Sequence, residues 1–451
     1  MDRDMRIADD APTSPDSPSR PYLVHALACD RPATPPSRWS LTRVPDVVLS
    51  GDGPVAASRT GTLTIACDDP WVSSRHAALK RTFGRWFLED LGSKNGTLVN
   101  GARVARHQLV DGDLIETGHT AWWFREIATG APPLDLAALD VSAPFVTLHA
   151  PLELATARAV AALVVGLAVL VEGEPGVGKE RFVTAVHTAS RRRGALVTVG
   201  CAGLPAGAPE LAEAALFGHR HGASDEADDR LGHVRAAHHG TLFLDEVSDL
   251  PPAAQAALLR VLAERSVTPV GDDRPVPVDL AVISATHRDV HAMTSAGTFR
   301  PELLTRLHGV AMWIPPLRER REDIGLFVAR TLARVAPGAT LQPDAARRLL
   351  TSAWPGNVRE LEQVVTAAAA RAGSRAITLA DLEAAGAPPP PAPAPPSGEW
   401  SAADAALRTR LVGALVTYGG NVSAVARALG RDRKQIHRWV ERLAIDLRDP
   451  R

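Results

Sequence analysis

Apolar and polar positions divide the chain into blocks of different periodicity. Residues 1–40 are rich in Pro, Ser and Asp and show no repeat, which predicts a mostly disordered segment. From 41 to 128 short β-like runs, RWFLEDL, TLVNG and TAWWFRE, are separated by Gly, Asn and Asp. That pattern predicts a small antiparallel sandwich. A loose segment, 129–144, leads into a region where strand-like and helix-like stretches alternate to 317, as a parallel sheet requires. Within it the apolar run 163–171 reads as a buried strand. ERFVTAVHTAS follows a glycine-rich turn and reads as a helix, with Phe182, Val183 and Val186 on one face. A helical block occupies 318–386, and APPPPAPAPP opens a stiff polyproline linker over 387–399. The remainder, 400–451, reads as short helices. Gly419 and Gly420 stop one, Asn421 caps the next, Gly430 sits in a turn, and Ile436, Trp439, Val440 and Leu443 bury one face of the last. The predicted class is multidomain: an all-β sandwich, an α/β core with a helical lid, and an all-α end.

Composition narrows this little. A length of 451 residues suits about three domains. Fifty Lys and Arg against fifty-one Asp and Glu leave no global field toward nucleic acid or membrane, so such affinity must be local. It is local at the end: from 401 onward ten Lys or Arg face five Asp or Glu. Cys29, Cys67 and Cys201 have neither disulfide-framework nor metal spacing. No apolar run is long enough to span a bilayer and the first residues lack an apolar signal core, so a cytoplasmic protein without membrane contact is expected.

The chemistry is concentrated in GEPGVGKE, residues 173–180. A strand, a glycine-rich turn and a helix N-terminus make a phosphate cradle, because backbone N–H groups and the helix dipole favour an anion there. Gly173, Gly176 and Gly178 permit shapes that a Cβ would block. Lys179 is placed to neutralise phosphate charge, and Glu180 stands where the general pattern carries a Mg²⁺-binding Ser or Thr. Further on, LFLDE ends an apolar strand in two carboxylates, Asp245 and Glu246.

The stretch from Phe145 to Ala385 resembles the AAA+ domain of sigma-54-dependent transcription activators, the enhancer-binding proteins. GEPGVGKE matches their P-loop, its Glu180 included, and HHGTLFLDEVSDLPPAAQAALLRVL their Walker B region. The resemblance implies an ATPase using ATP and Mg²⁺, with Asp245 on the metal and Glu246 polarising the attacking water. It puts His287 of LAVISATHRDV at the γ-phosphate-sensing position. Arg300 and Arg306 of FRPELLTRLHGV become fingers reaching into a neighbouring subunit of a homo-oligomeric ring, expected to be a hexamer. Arg359 of WPGNVRELEQV comes near the phosphates, and IPPLRERREDI becomes the hinge between core and lid. Two departures matter. The sigma-contacting loop, normally GAFTGA, reads GASDEA, with Ser224, Asp225 and Glu226 in place of Phe, Thr and Gly. The Asn that normally ends the strand before CAAL is Gly200.

DDPWVSSRHAAL followed by DLGSKNGTLVNG resembles the forkhead-associated (FHA) domain. This implies binding of a phosphothreonine protein or peptide, with Arg59 and Ser73 on the phosphate, Asn95 on the peptide backbone and His76 buttressing the loop. Arg75 and Lys94 are candidate extra cations. Ser58 and Lys94 replace the Gly and Thr usual there. GGNVSAVARALGRDRKQIHRWVERL resembles a Fis-type helix-turn-helix, which implies DNA contact through Arg431, Arg433, Lys434, Gln435, His437 and Arg438. Together these imply a transcription regulator of the sigma-54 activator type, controlled by phosphothreonine and possessing a degenerate sigma-contacting loop. The alternative is an ATP-responsive repressor or a sigma-54-independent regulator without remodelling activity.

Overall fold

The computed structural model describes residues 20–42, 44–53, 56–60, 62–127, 135–136, 139, 143–205, 207–219 and 231–390, and in the last stretch 407, 410–415, 425–426, 428–429, 436 and 439. Of 56–60 the backbone alone is described. The chain falls into two compact units, Met1–Pro390 and Pro391–Arg451.

The sandwich begins earlier than its sequence suggests. Strands Arg20–Ala28 and Ser37–Ser40 lie in the region expected to be disordered. Together with Thr120–Ile127, Asp113–Thr117, Thr97–Val99 and Ala102–Val104 they form one six-stranded sheet. The second sheet runs in the order Arg106–Gln108, Arg85–Asp90, Ala77–Thr82, Asp46–Ser50, Thr62–Ala66, Ala56–Thr60. It contains one parallel pair, Asp46–Ser50 with Thr62–Ala66, where an antiparallel sandwich was expected. Leu23, Trp39, Leu79, Trp86, Trp122 and Phe124 fill the space between the sheets.

The first strand escapes sequence detection because both of its faces are buried. Leu23 points into the sandwich, while Tyr22, Val24 and Ala26 join a second core shared with the lid residues Ile324, Val328, Leu349 and Trp354. A strand covered on both sides has no polar alternation to read.

The α/β core is a five-stranded sheet in the order Leu196–Gly200, Thr241–Asp245, Ala281–Thr286, Val169–Glu172, Val310–Trp313, with every neighbouring pair parallel. The run 163–171 is not one strand. Leu163 belongs to the helix Ala150–Val164, and Gly166 (φ +81°) turns the chain before the strand starts at Val169. Helices Ala150–Val164 and Lys179–Ser190 cover one sheet face, and Pro252–Glu264 and Pro301–Leu307 the other. The lid comprises Ile324–Val335, Pro343–Thr351, Asn357–Ala372 and Leu379–Ala384. In the second unit Leu411, Leu415, Val425, Ala426 and Ile436 are buried together, with Trp439 against them. Among the described residues no helix is long and apolar enough to cross a membrane.

Candidate functional site

The strand Val169–Glu172 lies inside the sheet, so the loop after it opens where the Ala281–Thr286 strand beside it and the Thr241–Asp245 strand beyond also end. Gly178 (φ +102°) takes a conformation that a side chain would strain, and the helix starts at Lys179. Lys179 is only 8 % exposed. Its Nζ donates to the Gly173 carbonyl at 2.9 Å and stands 3.5 Å from a Glu246 carboxylate oxygen. Beside it is a cavity of about 270 Å³, lined among others by Gly176, Gly178, Asp245, Glu246 and Arg359.

Glu180 and Asp245 line the same cavity. The Asp245 carboxyl is pushed above its ordinary range, first by burial, then by the charges of Glu246 and Glu180; Lys179 opposes them in part. Three carboxylates around one buried cation leave room for further positive charge, which a divalent ion on Asp245 would supply. A glycine-lined helix start with a buried Lys fits a nucleotide triphosphate, and the acid cluster fits its Mg²⁺. Glu246 itself has φ +51° and accepts from His287, through the backbone N–H at 3.2 Å and through Nδ1 at 2.7 Å.

The lid closes over the loop through its backbone. The Gly176 carbonyl accepts from Val358 N–H at 3.0 Å and Arg359 N–H at 3.4 Å, at the start of Asn357–Ala372.

In the sandwich, the loops expected to hold a phosphopeptide come together around His76. Its Nδ1 accepts from Ser73 N–H at 3.1 Å, so its Nε2–H donates to the Gly96 carbonyl at 3.1 Å. His76 is buried and touches both loops, the buttress expected of it. The Ser73 hydroxyl accepts from Lys94 N–H at 3.2 Å, and Asn95 donates to the Trp71 carbonyl at 2.7 Å. Arg75, Lys94 and Asn95 are exposed on this rim. Asp90 organises the second loop. Burial would raise its pKa, but hydrogen bonds from Ser93, Thr97 and Gly92 bring it down to about 2. Arg59 lies in strand Ala56–Thr60, and its side chain is outside the described residues.

Residues 148–312 match the model of the sigma-54 interaction domain, 59–118 that of the FHA domain and 318–395 that of the AAA+ ATPase lid domain. The chain therefore carries a sigma-54 interaction domain, an AAA+ lid and an FHA domain. It is 37 % identical over 297 residues to the transcriptional regulatory protein GlrR of Escherichia coli K12, covering 63 % of this chain and 64 % of that one. It is 41 % identical over 307 residues to the nitric oxide reductase transcription regulator NorR2 of Cupriavidus necator, covering 61 % and 58 %. The chain thus spans somewhat under two thirds of these curated relatives. A crystal structure of NtrX from Brucella abortus in complex with ATP aligns with 30 % identity over 67 % of this chain and 69 % of that chain, at a TM-score of 0.47.

Arg300 and Arg306 of the sigma-54 interaction domain do not line the cavity. Arg300 precedes the helix Pro301–Leu307 and Arg306 is in its last turn. Both side chains are exposed, and neither makes an ion pair among the described residues. Several residues around the nucleotide cavity were not foreseen. Arg181 makes a two-pronged contact with Glu362 of the lid at 2.7 and 3.0 Å, and Arg318 does the same with Glu174 at 2.9 and 2.6 Å. Asn357 is fully buried and donates to Glu174 and to the Pro175 carbonyl. Arg320, also fully buried, donates to the carbonyls of Pro315 and Val177. The spacing of Arg359 and Glu362, one helical turn apart, was the available signal that both face the P-loop. Ser224, Asp225 and Glu226 lie outside the described residues, as do Arg431, Arg433, Lys434, Gln435, His437 and Arg438.

Proposed function

We propose that the chain is a DNA-bound, ATP-hydrolysing transcription regulator of the sigma-54 activator type, in which phosphothreonine binding by the FHA domain controls a ring-forming AAA+ domain. The observation that carries the ATPase part is the meeting of Lys179, Asp245 and Glu246 at one cavity beneath the lid. ATP when bound supplies the transferring phosphoryl group, and Mg²⁺ neutralises its developing charge. Lys179 holds the phosphates, Asp245 holds the metal, and Glu246 orients the attacking water. Arg300 and Arg306, exposed and away from the cavity of their own subunit, are disposed to complete the site of the next.

Lys179→Ala is expected to abolish ATP binding, and Glu246→Gln to bind ATP without turnover. Arg306→Ala should slow hydrolysis by ~10³-fold or more, as loss of a finger supplied in trans does. ATPase activity that does not rise with protein concentration counts against a site shared between subunits. At the FHA domain, calorimetry should find a phosphothreonine peptide bound more tightly than its unphosphorylated form, with Arg59→Ala erasing the difference.

Under a second reading, specific to the GASDEA loop, the protein is an ATP-responsive repressor or a sigma-54-independent regulator. Ser224 offers no apolar area to a partner, and Asp225 and Glu226 cost free energy to desolvate at a contact. Transcription reconstituted with sigma-54 polymerase separates the two. Open complexes in the presence of ATP support remodelling; DNA binding without them supports the second reading.

A further inference from the structure

Glu246 is the water-orienting carboxylate, and its own orientation needs a cause. It follows the strand Thr241–Asp245 in the left-handed region, at φ +51°, which fixes where its side chain leaves the backbone. On one flank the strand Leu196–Gly200 runs beside it in register, Gly200 opposite Asp245. Gly200 has no side chain, and among the described residues, its chain neighbours aside, no heavy atom lies within 4 Å of where its Cβ would be. That flank is open.

The other flank is occupied by one residue twice over. His287 directs both its backbone N–H and its Nδ1 at the same Glu246 oxygen, at 3.2 and 2.7 Å. A carboxylate only accepts, so Nδ1 carries the proton. The backbone of His287 is itself held in place. Thr286 is fully buried, shares a hydrogen bond with Ser248 at 3.1 Å and accepts from Arg288 N–H at 3.0 Å. Arg288 pairs with Asp249 at 3.0 Å. The only other group on the Glu246 carboxylate among the described residues is Lys179, at the opposite oxygen.

We infer that His287 is a positioning residue for Glu246: its imidazole aims the carboxylate at the attacking water, a duty that no side chain from the Gly200 strand can perform. This rests on the ATP-hydrolysis reading. It assigns His287 to the general base, where the family resemblance alone would give it to the γ-phosphate.

The test uses the full chain and two readouts, ATP affinity from titration of a fluorescent ATP analogue and steady-state kcat. His287→Ala should lower kcat about tenfold or more, up to the ~10²–10⁴ that a general base contributes, with ATP affinity unchanged to about twofold. His287→Asn, whose amide N–H can replace Nδ1–H, should recover most of the loss. Weakened ATP affinity with unchanged kcat, or an Asn variant as slow as Ala, would each overturn the inference while leaving the ATPase reading intact. A wild-type chain that binds the analogue but never hydrolyses ATP, or does neither, overturns both.

Discussion

Two histidines are buried in the FHA sandwich, and burial lowers the pKa of both, but they differ in their hydrogen bonding. Burial lowers the pKa of His76, but both its ring nitrogens are paired, which makes it a clamp between the Ser73 and Gly96 loops. His25 is fully enclosed, has neither nitrogen hydrogen-bonded among the described residues and lies edge-on to Trp122, 5.2 Å between ring centres. Burial pushes its pKa down from 6.5 to about 4. Its folded pKa is below the unfolded one, so an acidified unfolded chain takes up a proton that the folded domain refuses. His25 therefore leaves stability untouched above pH 6.5 and erodes it as the pH falls to about 4, by a total on the order of 3 kcal/mol. His25→Phe removes both the unpaired nitrogens and the titration. Hydrogen-exchange protection of Arg20–Ala28 and Thr120–Ile127 should fall between pH 7.5 and 5.5 in the parent and fall less in the variant; equal losses in both would locate the acid sensitivity elsewhere. No sequence pattern marks His25 as buried, since the ring reads as polar in a strand whose two faces are both covered.

At the scale of elements, the readable parts were those whose signal is local. The glycine loop, the helix Lys179–Ser190 and the acidic end of Thr241–Asp245 each advertise themselves within about ten residues, as motif logic requires. Of the lid only Arg359 is expected near the loop, through the family resemblance; the other contacts are not legible, because they join residues more than 180 positions apart, such as Gly176 to Val358. The most sensitive of these joints is Gly176. Its φ is +78°, and a Cβ there would run into the Gly356 carbonyl where the lid helix begins. Gly176→Ala must either strain the loop or lift the helix, at about 1–3 kcal/mol. The expected result is a rise in the ATP dissociation constant of ~5- to 100-fold, at 1.4 kcal/mol per decade. ATP titration reads this directly, and unchanged affinity would mean that the lid helix moves away without consequence for the nucleotide. Gly325 shows the same economy of space elsewhere, since a Cβ on it would enter the Ala26 carbonyl; the lid helix Ile324–Val335 and the first FHA strand approach backbone to backbone.

For the Met1–Pro390 unit as a whole, that approach means that the FHA domain is not a bead on a tether. Its strand Arg20–Ala28 completes the lid's core, and the Leu341 N–H of the lid donates to the Cys29 carbonyl at 2.8 Å. At the centre of the seam is Glu322 of the hinge, with no exposed surface. Burial would raise its pKa, but His149 of the core and Arg125 of the FHA domain bring it down to about 2, and Tyr22 of the FHA domain donates to it at 3.1 Å. The FHA domain, the core and the segment that joins core to lid thus each supply part of one buried charge cluster. A second pair, Arg347 with Glu116 at 2.9 Å, spans the same seam but is partly exposed. The difference in burial decides their weights: removing one partner of a fully buried pair costs about 3–5 kcal/mol and an exposed pair contributes about 0–1 kcal/mol, and the Arg347–Glu116 pair, with a buried carboxylate but a cation open to water, falls between them. Arg125→Met should therefore strip hydrogen-exchange protection from both Arg20–Ala28 and Ile324–Val335 together, while Arg347→Met lowers it less. If Arg125→Met loosened the FHA strand but not the lid helix, the shared core would not be a cooperative unit. If both variants were silent, Glu322 would be finding compensation from His149 and Tyr22. Joint loss would make the FHA domain a structural part of the nucleotide lid, so that whatever the Ser73 loop binds acts on an element already joined to the ATP site.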